Sequence, residues 1–343
     1  MKTAIAVALL AATVSAASVP SDSAAVTHAL NRMTYGPRPG EVERVQRMGL
    51  QKWIDQQLHP STIDDPAVAT LADPPAIRGD SQKERRHSAR DAVQALAANR
   101  LVRAASSERQ LHEVLVDFWF NHFNVFAGKG RTAIYLREYE RDAIRPHALG
   151  RFRDLLEATA KSPAMLFYLD NWLSADPDST VSGFRAQGPG KKKRGLNENY
   201  ARELMELHTL GVDGGYTQHD IIEVARAFTG WTIDPRTSSF RFVPALHDAG
   251  EKVVLGHTIR AGGGMDDGER VLDIVASHPA TAHHIAYELA QYFVADEPPA
   301  ALVDRAAATF SRTKGDLRDV VRTIITSPEF MSAANARSKF KSP

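Results

Sequence analysis

The stretch Leu196-Asn197-Glu198-Asn199-Tyr200-Ala201-Arg202-Glu203-Leu204-Met205-Glu206-Leu207-His208-Thr209-Leu210-Gly211 decides how this chain is read. Placed at 100° per residue, positions 197–210 form a helix that Gly211 stops. Tyr200, Leu204 and Leu207 then share one stripe, which faces the core. Asn199, Glu203 and Glu206 lie within about 60° of one another on one edge of that stripe, with Arg202 beside them. His208 falls on the opposite edge, roughly 160° from Glu206, so a regular helix does not aim both at one ion. Glu198, Arg202 and Glu206 recur every four residues, the spacing of an ion-pair ladder on a solvated face. Glu203 sits nearest the apolar stripe, where partial desolvation raises a carboxyl pKa and fits it for acid–base work.

The same periodicity runs outward through most of the chain. Helices are expected at 24–33, 40–48, 50–58, 109–125, 132–145, 151–160 and 164–173, then at 217–229, 267–276, 280–294, 299–311 and 317–325. Ser162-Pro163 starts one of these, with Ser as cap and Pro in the first turn. Thr217 and Asp220 start another with the spacing of a capping box. Phe240-Arg241-Phe242-Val243 and Val253-Val254-Leu255 read as one small β-hairpin over 240–259, turning at His247-Asp248-Ala249-Gly250. Residues 174–195 form the longest stretch without periodicity, made basic by Lys191-Lys192-Lys193-Arg194; long loops of this kind are often functional or disordered. The expected architecture is a mainly α-helical single domain over 17–343 with a small β-hairpin insertion.

Residues 1–16 read as a secretory signal peptide: Lys2 gives the positive start, 4–13 the apolar run, and Val14-Ser15-Ala16 the small-residue cleavage site. The run is shorter than the about 20 residues a bilayer span needs. The expectation is an exported protein, periplasmic, surface-bound or secreted, with no membrane span after cleavage. The chain has 343 residues, 42 Lys and Arg against 41 Asp and Glu, 13 His and no Cys. The near-zero balance excludes a strongly basic nucleic-acid binder as the default. The absence of Cys excludes disulfides, thiolate metal sites, iron–sulfur clusters and cysteine nucleophiles. No GxGxxG, P-loop, HExxH or GxSxG motif is present.

In the helix over 109–125, Leu111, Leu115, Phe118 and His122 share one face. A histidine on a core face is either a hydrogen-bonded interior residue or, with a pKa near neutrality, a proton shuttle or metal ligand. Glu203, His122, Glu206, Arg202 and Asn199 are therefore the candidate catalytic set, with Asn121, Tyr200 and Trp231 as substrate contacts.

The motif at 196–211 continues through Asp213-Gly214-Gly215-Tyr216-Thr217-Gln218 and Ala225-Arg226-Ala227-Phe228-Thr229-Gly230-Trp231. It is accompanied by Asn31-Arg32-Met33-Thr34-Tyr35-Gly36-Pro37, Phe118-Trp119-Phe120-Asn121-His122-Phe123, Pro163-Ala164-Met165-Leu166, His278-Pro279-Ala280-Thr281-Ala282 and Ser327-Pro328-Glu329-Phe330. In these segments, which span about 24–330, the chain resembles the bacterial domain-of-unknown-function 1800 family. The resemblance implies an exported, mainly helical bacterial protein, often encoded beside another exported protein, and carries no assigned activity. The chain departs from the family pattern at His283-His284-Ile285-Ala286-Tyr287-Glu288, where Arg-His-x-x-Arg-Lys is usual; a basic patch there would be partly lost.

Three functional classes fit these residues. The first is an exported acid–base enzyme, a hydrolase or lyase, acting on an envelope or extracellular polymer such as a polysaccharide. The second is a helical scaffold that binds another exported protein. The third is a metal protein holding a divalent ion through carboxylate and imidazole ligands from separate helices, without the ExxH signature of di-iron bundles.

Overall fold

In a computed structural model, described over residues 19–77, 81–179 and 195–339, the chain is mainly α-helical, with two small antiparallel hairpins. The segment read as a signal peptide and positions 180–194 of the long loop lie outside the described residues. The first half carries α1 Ser23–Met33, α2 Glu41–Met48, α3 Leu50–Gln57, α4 Pro66–Ala69, α5 Gln82–Ser106, α6 Gln110–His122, α7 Leu136–Glu138, α8 Phe152–Ala160 and α9 Pro163–Tyr168. The second half carries α10 Asn199–Glu203, α11 Gln218–Ala227, α12 Asp266–Ser277, α13 Pro279–Phe293, α14 Ala300–Thr313 and α15 Leu317–Ile325. No helix among the described residues is long and apolar enough to cross a membrane.

Local chemistry explains several boundaries. Thr217 and Asp220 form a full capping box, each side chain accepting from the other's backbone N–H. Ser162 caps α9, with Pro163 in the first turn. The apolar faces of these amphipathic helices merge into one buried cluster that runs from Val26 to Phe330. Leu111, Leu115 and Trp119 of α6 are fully buried in it, and the Trp119 indole donates to the Ala148 carbonyl.

The β structure differs from the single hairpin expected at 240–259. Strand β1 Trp231–Ile233 pairs with β2 Phe240–Phe242, Trp231 opposite Phe242. Strand β3 Lys252–Val254 pairs with β4 His257–Ile259, Lys252 opposite Ile259. The first turn is built by Asp234, whose carboxylate accepts from the Arg236 and Thr237 N–H groups, with Ser238 at φ 58°. The second is a tight turn at Leu255 and Gly256, both at positive φ, 51° and 78°. Residues 247–250 turn nothing. His247 is instead buried, and Lys252 is fixed there by Asp267 and by the Asp248 and Gly250 carbonyls.

The helix expected over 197–210 is also not regular. After Glu203 it widens into a π-helical segment, Leu204–Thr209. Leu210 N–H reaches back five residues to the Met205 carbonyl, and the Thr209 hydroxyl caps the Leu204 carbonyl. A wider turn changes the angular position of every residue within it. Leu207, expected in the core, is 48 % exposed, and His208, expected on the opposite edge of the stripe, is 4 % exposed.

Candidate active site

Two groupings contain most of the polar residues singled out above, and a third lies apart from them. The first is the Asn199–Glu206 edge. Here Arg202 sits between Glu198 and Glu206, 3.4 Å from each, and donates to Gln218 Oε1 at 2.9 Å. All three charged groups are partly exposed, the geometry of the ion-pair ladder. Burial, and then the charge of Glu206, raise the Glu203 carboxyl above its ordinary value. Asn199 is exposed at the helix start, its N–H held by Asn197 Oδ1. Tyr200 and Trp231, assigned above to substrate contact, are 2 % and 0 % exposed. Both pack edge-on against Phe228, so the structure corrects them to interior residues.

The second grouping surrounds His122, whose side chain is 3 % exposed. Its Nε2 lies 3.1 Å from the His208 carbonyl and its Nδ1 2.7 Å from Glu288 Oε2. A carbonyl only accepts, so Nε2 carries a proton. Burial raises the Glu288 carboxyl, but the bond and charge of His122 outweigh it and leave Glu288 below its ordinary value. One proton lies in the bond between Nδ1 and Glu288 Oε2. His284 completes the group, its Nε2 3.3 Å from the Leu207 carbonyl and 3.6 Å from Glu288 Oε1. Both imidazoles thus meet carbonyls in the last turn of the π segment, which lack helical partners. His122 meets the π segment at the His208 backbone carbonyl and is held on its other side by Glu288 of α13. Asn121 is exposed and bonds back to the Asp117 carbonyl of its own helix. Among the described residues, no group of three or more His, Asp or Glu side chains is arranged to hold a metal ion.

The third grouping was not anticipated. A cleft of about 910 Å³ opens between α1, α6, α13 and the tail near 336–339. His28, Arg32 and Tyr35 line one wall; Asp117, Tyr292, Arg337 and Lys339 are among the other polar lining residues. None of the Asn199–Glu206 residues lines it. Burial raises the Asp117 carboxyl above its ordinary value against the opposing charge of Arg100, which stands 3.8 Å away. Burial, and then the Asp117 charge, push the Tyr35 phenol well up and Tyr292 to about 12, so both phenols stay protonated donors. Beneath the wall, Arg145 grips Glu113 with two bonds of 2.9 and 2.8 Å, and Arg145 and Arg100 converge on Glu140, which fixes Arg100 against the cleft.

Asp117, Tyr35 and Tyr292 escape a reading made one helix at a time. Asp117 flanks the apolar stripe of α6, next to Phe118. His284, Glu288 and Tyr292 recur every four residues on α13. Phe118 packs edge-on against Tyr292 at 5.2 Å, so the two helices share a polar seam that carries His122–Glu288 and Asp117–Tyr292 in succession. The four-residue spacing on α13 is the signal that could have found it. Comparison with curated proteins and with solved structures finds no match. The model of the family described as "Protein of unknown function (DUF1800)" matches residues 28–343, nearly the whole chain, and the chain belongs to that family.

Proposed function

We propose that the chain is an exported acid–base enzyme that acts on an extracellular or envelope polymer, with the α1–α6–α13 cleft as its site. The observation that carries this is the lining of one open cleft by Asp117, whose carboxyl burial raises, together with the phenols of Tyr35 and Tyr292. A neutral carboxyl beside a substrate is a general acid, able to protonate a leaving oxygen. Tyr35 and Tyr292, 40 % and 37 % exposed, offer hydroxyl donors and ring faces suited to sugar units. The cleft volume lies at the upper end of ordinary ligand pockets, which accords with a polymer segment. Asp117, rather than the Asn199–Glu206 edge, takes the acid role because no residue of that edge lines the cleft.

The test is release of new reducing ends from a panel of neutral and acidic polysaccharides. Wild-type chain is expected to cleave at least one, and Asp117→Asn to lose about a hundredfold or more in kcat, the usual worth of general acid catalysis. Equal rates for the two proteins, or a folded wild-type chain inert on the whole panel, would overturn the reading.

A further inference from the structure

Among the described residues, the cleft wall made by α1 and the tail carries three cations, Arg32, Arg337 and Lys339, against the nearby carboxylate of Asp296. Arg32 makes its bonds through Nη2 alone, to the Asn335 and Val294 carbonyls and Ser338 Oγ; its Nε and Nη1 have no hydrogen-bond partner among the described residues. Asp296 acts on Arg32 by charge, but is itself bridged by Lys339. Arg337 is exposed and, among the described residues, has neither ion pair nor hydrogen bond. Asp117 is the one acid in the lining, so two guanidiniums with open donor edges face a cleft holding a single carboxyl. Guanidinium edges of this kind match a carboxylate in two-point geometry.

His28 lies one turn before Arg32 on the same face of α1. Its Nε2 donates to the Phe330 carbonyl at 2.7 Å, which leaves Nδ1 as the lone-pair nitrogen of a neutral ring. Burial lowers its pKa, which favours the neutral ring. The cleft thus brings together guanidiniums for a carboxylate, an imidazole with an unprotonated nitrogen, and a carboxyl that burial favours in its protonated form.

Resting on the acid–base reading above, we infer that the substrate is a 4-linked uronate polymer and that the reaction is β-elimination. Arg32 and Arg337 bind the uronate carboxylate and acidify the adjacent C5–H. His28 Nδ1 takes the C5 proton, and the C–H electron pair becomes the C4=C5 double bond. The C4–O4 bond breaks, and O4 leaves with the proton of Asp117. One product ends in an unsaturated uronate and the other in a new hydroxyl; water returns the proton from His28 to Asp117 between turnovers. The step needs no oxidant and no second carboxylate, whereas glycoside hydrolysis uses two.

The experiment incubates the full chain with polygalacturonate, alginate and hyaluronan, and with neutral xylan. It follows both the ultraviolet absorbance of the unsaturated product and total reducing ends. The expected result is absorbance and reducing ends rising together on at least one uronate polymer and on no xylan. Arg337→Gln, at an exposed position, is expected to leave the circular dichroism spectrum unchanged and to lower kcat/KM about tenfold to a hundredfold, the worth of a charged hydrogen bond. Reducing ends without absorbance, or cleavage of xylan alone, would overturn the elimination while leaving the acid–base reading in place. Cleavage of none of the four polymers would overturn both. An Arg337→Gln rate equal to wild type would overturn the carboxylate-binding role.

Discussion

His208 gives the sharpest physical prediction. Its imidazole is buried, close to Phe123 and His122, and burial, then the charge of His122, lower its pKa to about 3. In the unfolded chain the ring regains a pKa near 6.5, the ordinary value. Below that value the unfolded chain takes up a proton that the folded chain refuses until about pH 3. The stabilisation is therefore complete above pH 6.5 and is lost progressively as pH falls from there toward 3. At pH 5 the loss is about 1.5 pKa units, or about 2 kcal/mol at 1.36 kcal/mol per unit. The assay is urea unfolding at pH 8 and pH 5 for wild type and His208→Met, which keeps an apolar side chain of similar bulk. His28, His278 and His284 are also lowered by burial and contribute with the same sign, but they remain in both proteins and cancel in the double difference. Wild type is expected to lose about 2 kcal/mol more than the variant between the two pH values. Equal losses would refute the burial of a neutral His208, and with it the turn that places the ring inside.

Two further substitutions probe the packing of the fold. Glu288→Ala leaves a nearly buried His122 nitrogen without its partner and should cost about 2–3 kcal/mol in urea unfolding, the range for a charged hydrogen bond of a partly exposed group; Glu288→Gln, which keeps an acceptor, should cost clearly less. Gly268→Ala would set a Cβ 2.5 Å from the Trp231 ring, which Phe228 and Phe240 hold in place, and should lower stability by about 1–3 kcal/mol in the same assay.

The comparison of sequence with structure turns on periodicity. Where one helix buries one face, as in α6 with Leu111 and Leu115, the pattern was sufficient and the helix is where it reads. The capping residues Thr217 and Ser162 were equally legible, because a cap depends on a few neighbours. The segment 204–209 defeated the wheel because the angle per residue is not constant there, and a helix that widens by one bond exchanges Leu207 for His208 at the core. The hairpin at 240–259 failed for a related reason. Strand pairing is set by turn chemistry, and Asp234 and the Leu255–Gly256 pair outcompete the loop at 247–250. The cleft was illegible because it is a property of packing. Arg32, Asp117 and Tyr292 are ordinary surface residues on their own helices and become one site only when α1, α6 and α13 meet.

The most direct test of the cleft as active site is the structure of the Asp117→Asn variant with a bound polygalacturonate oligomer. The account predicts the oligomer in the α1–α6–α13 cleft, with a uronate carboxylate on Arg32 and Arg337 and a glycosidic oxygen about 3 Å from residue 117. An oligomer bound along the Asn199–Glu206 edge, or a cleft that stays empty at saturating oligomer, would contradict it.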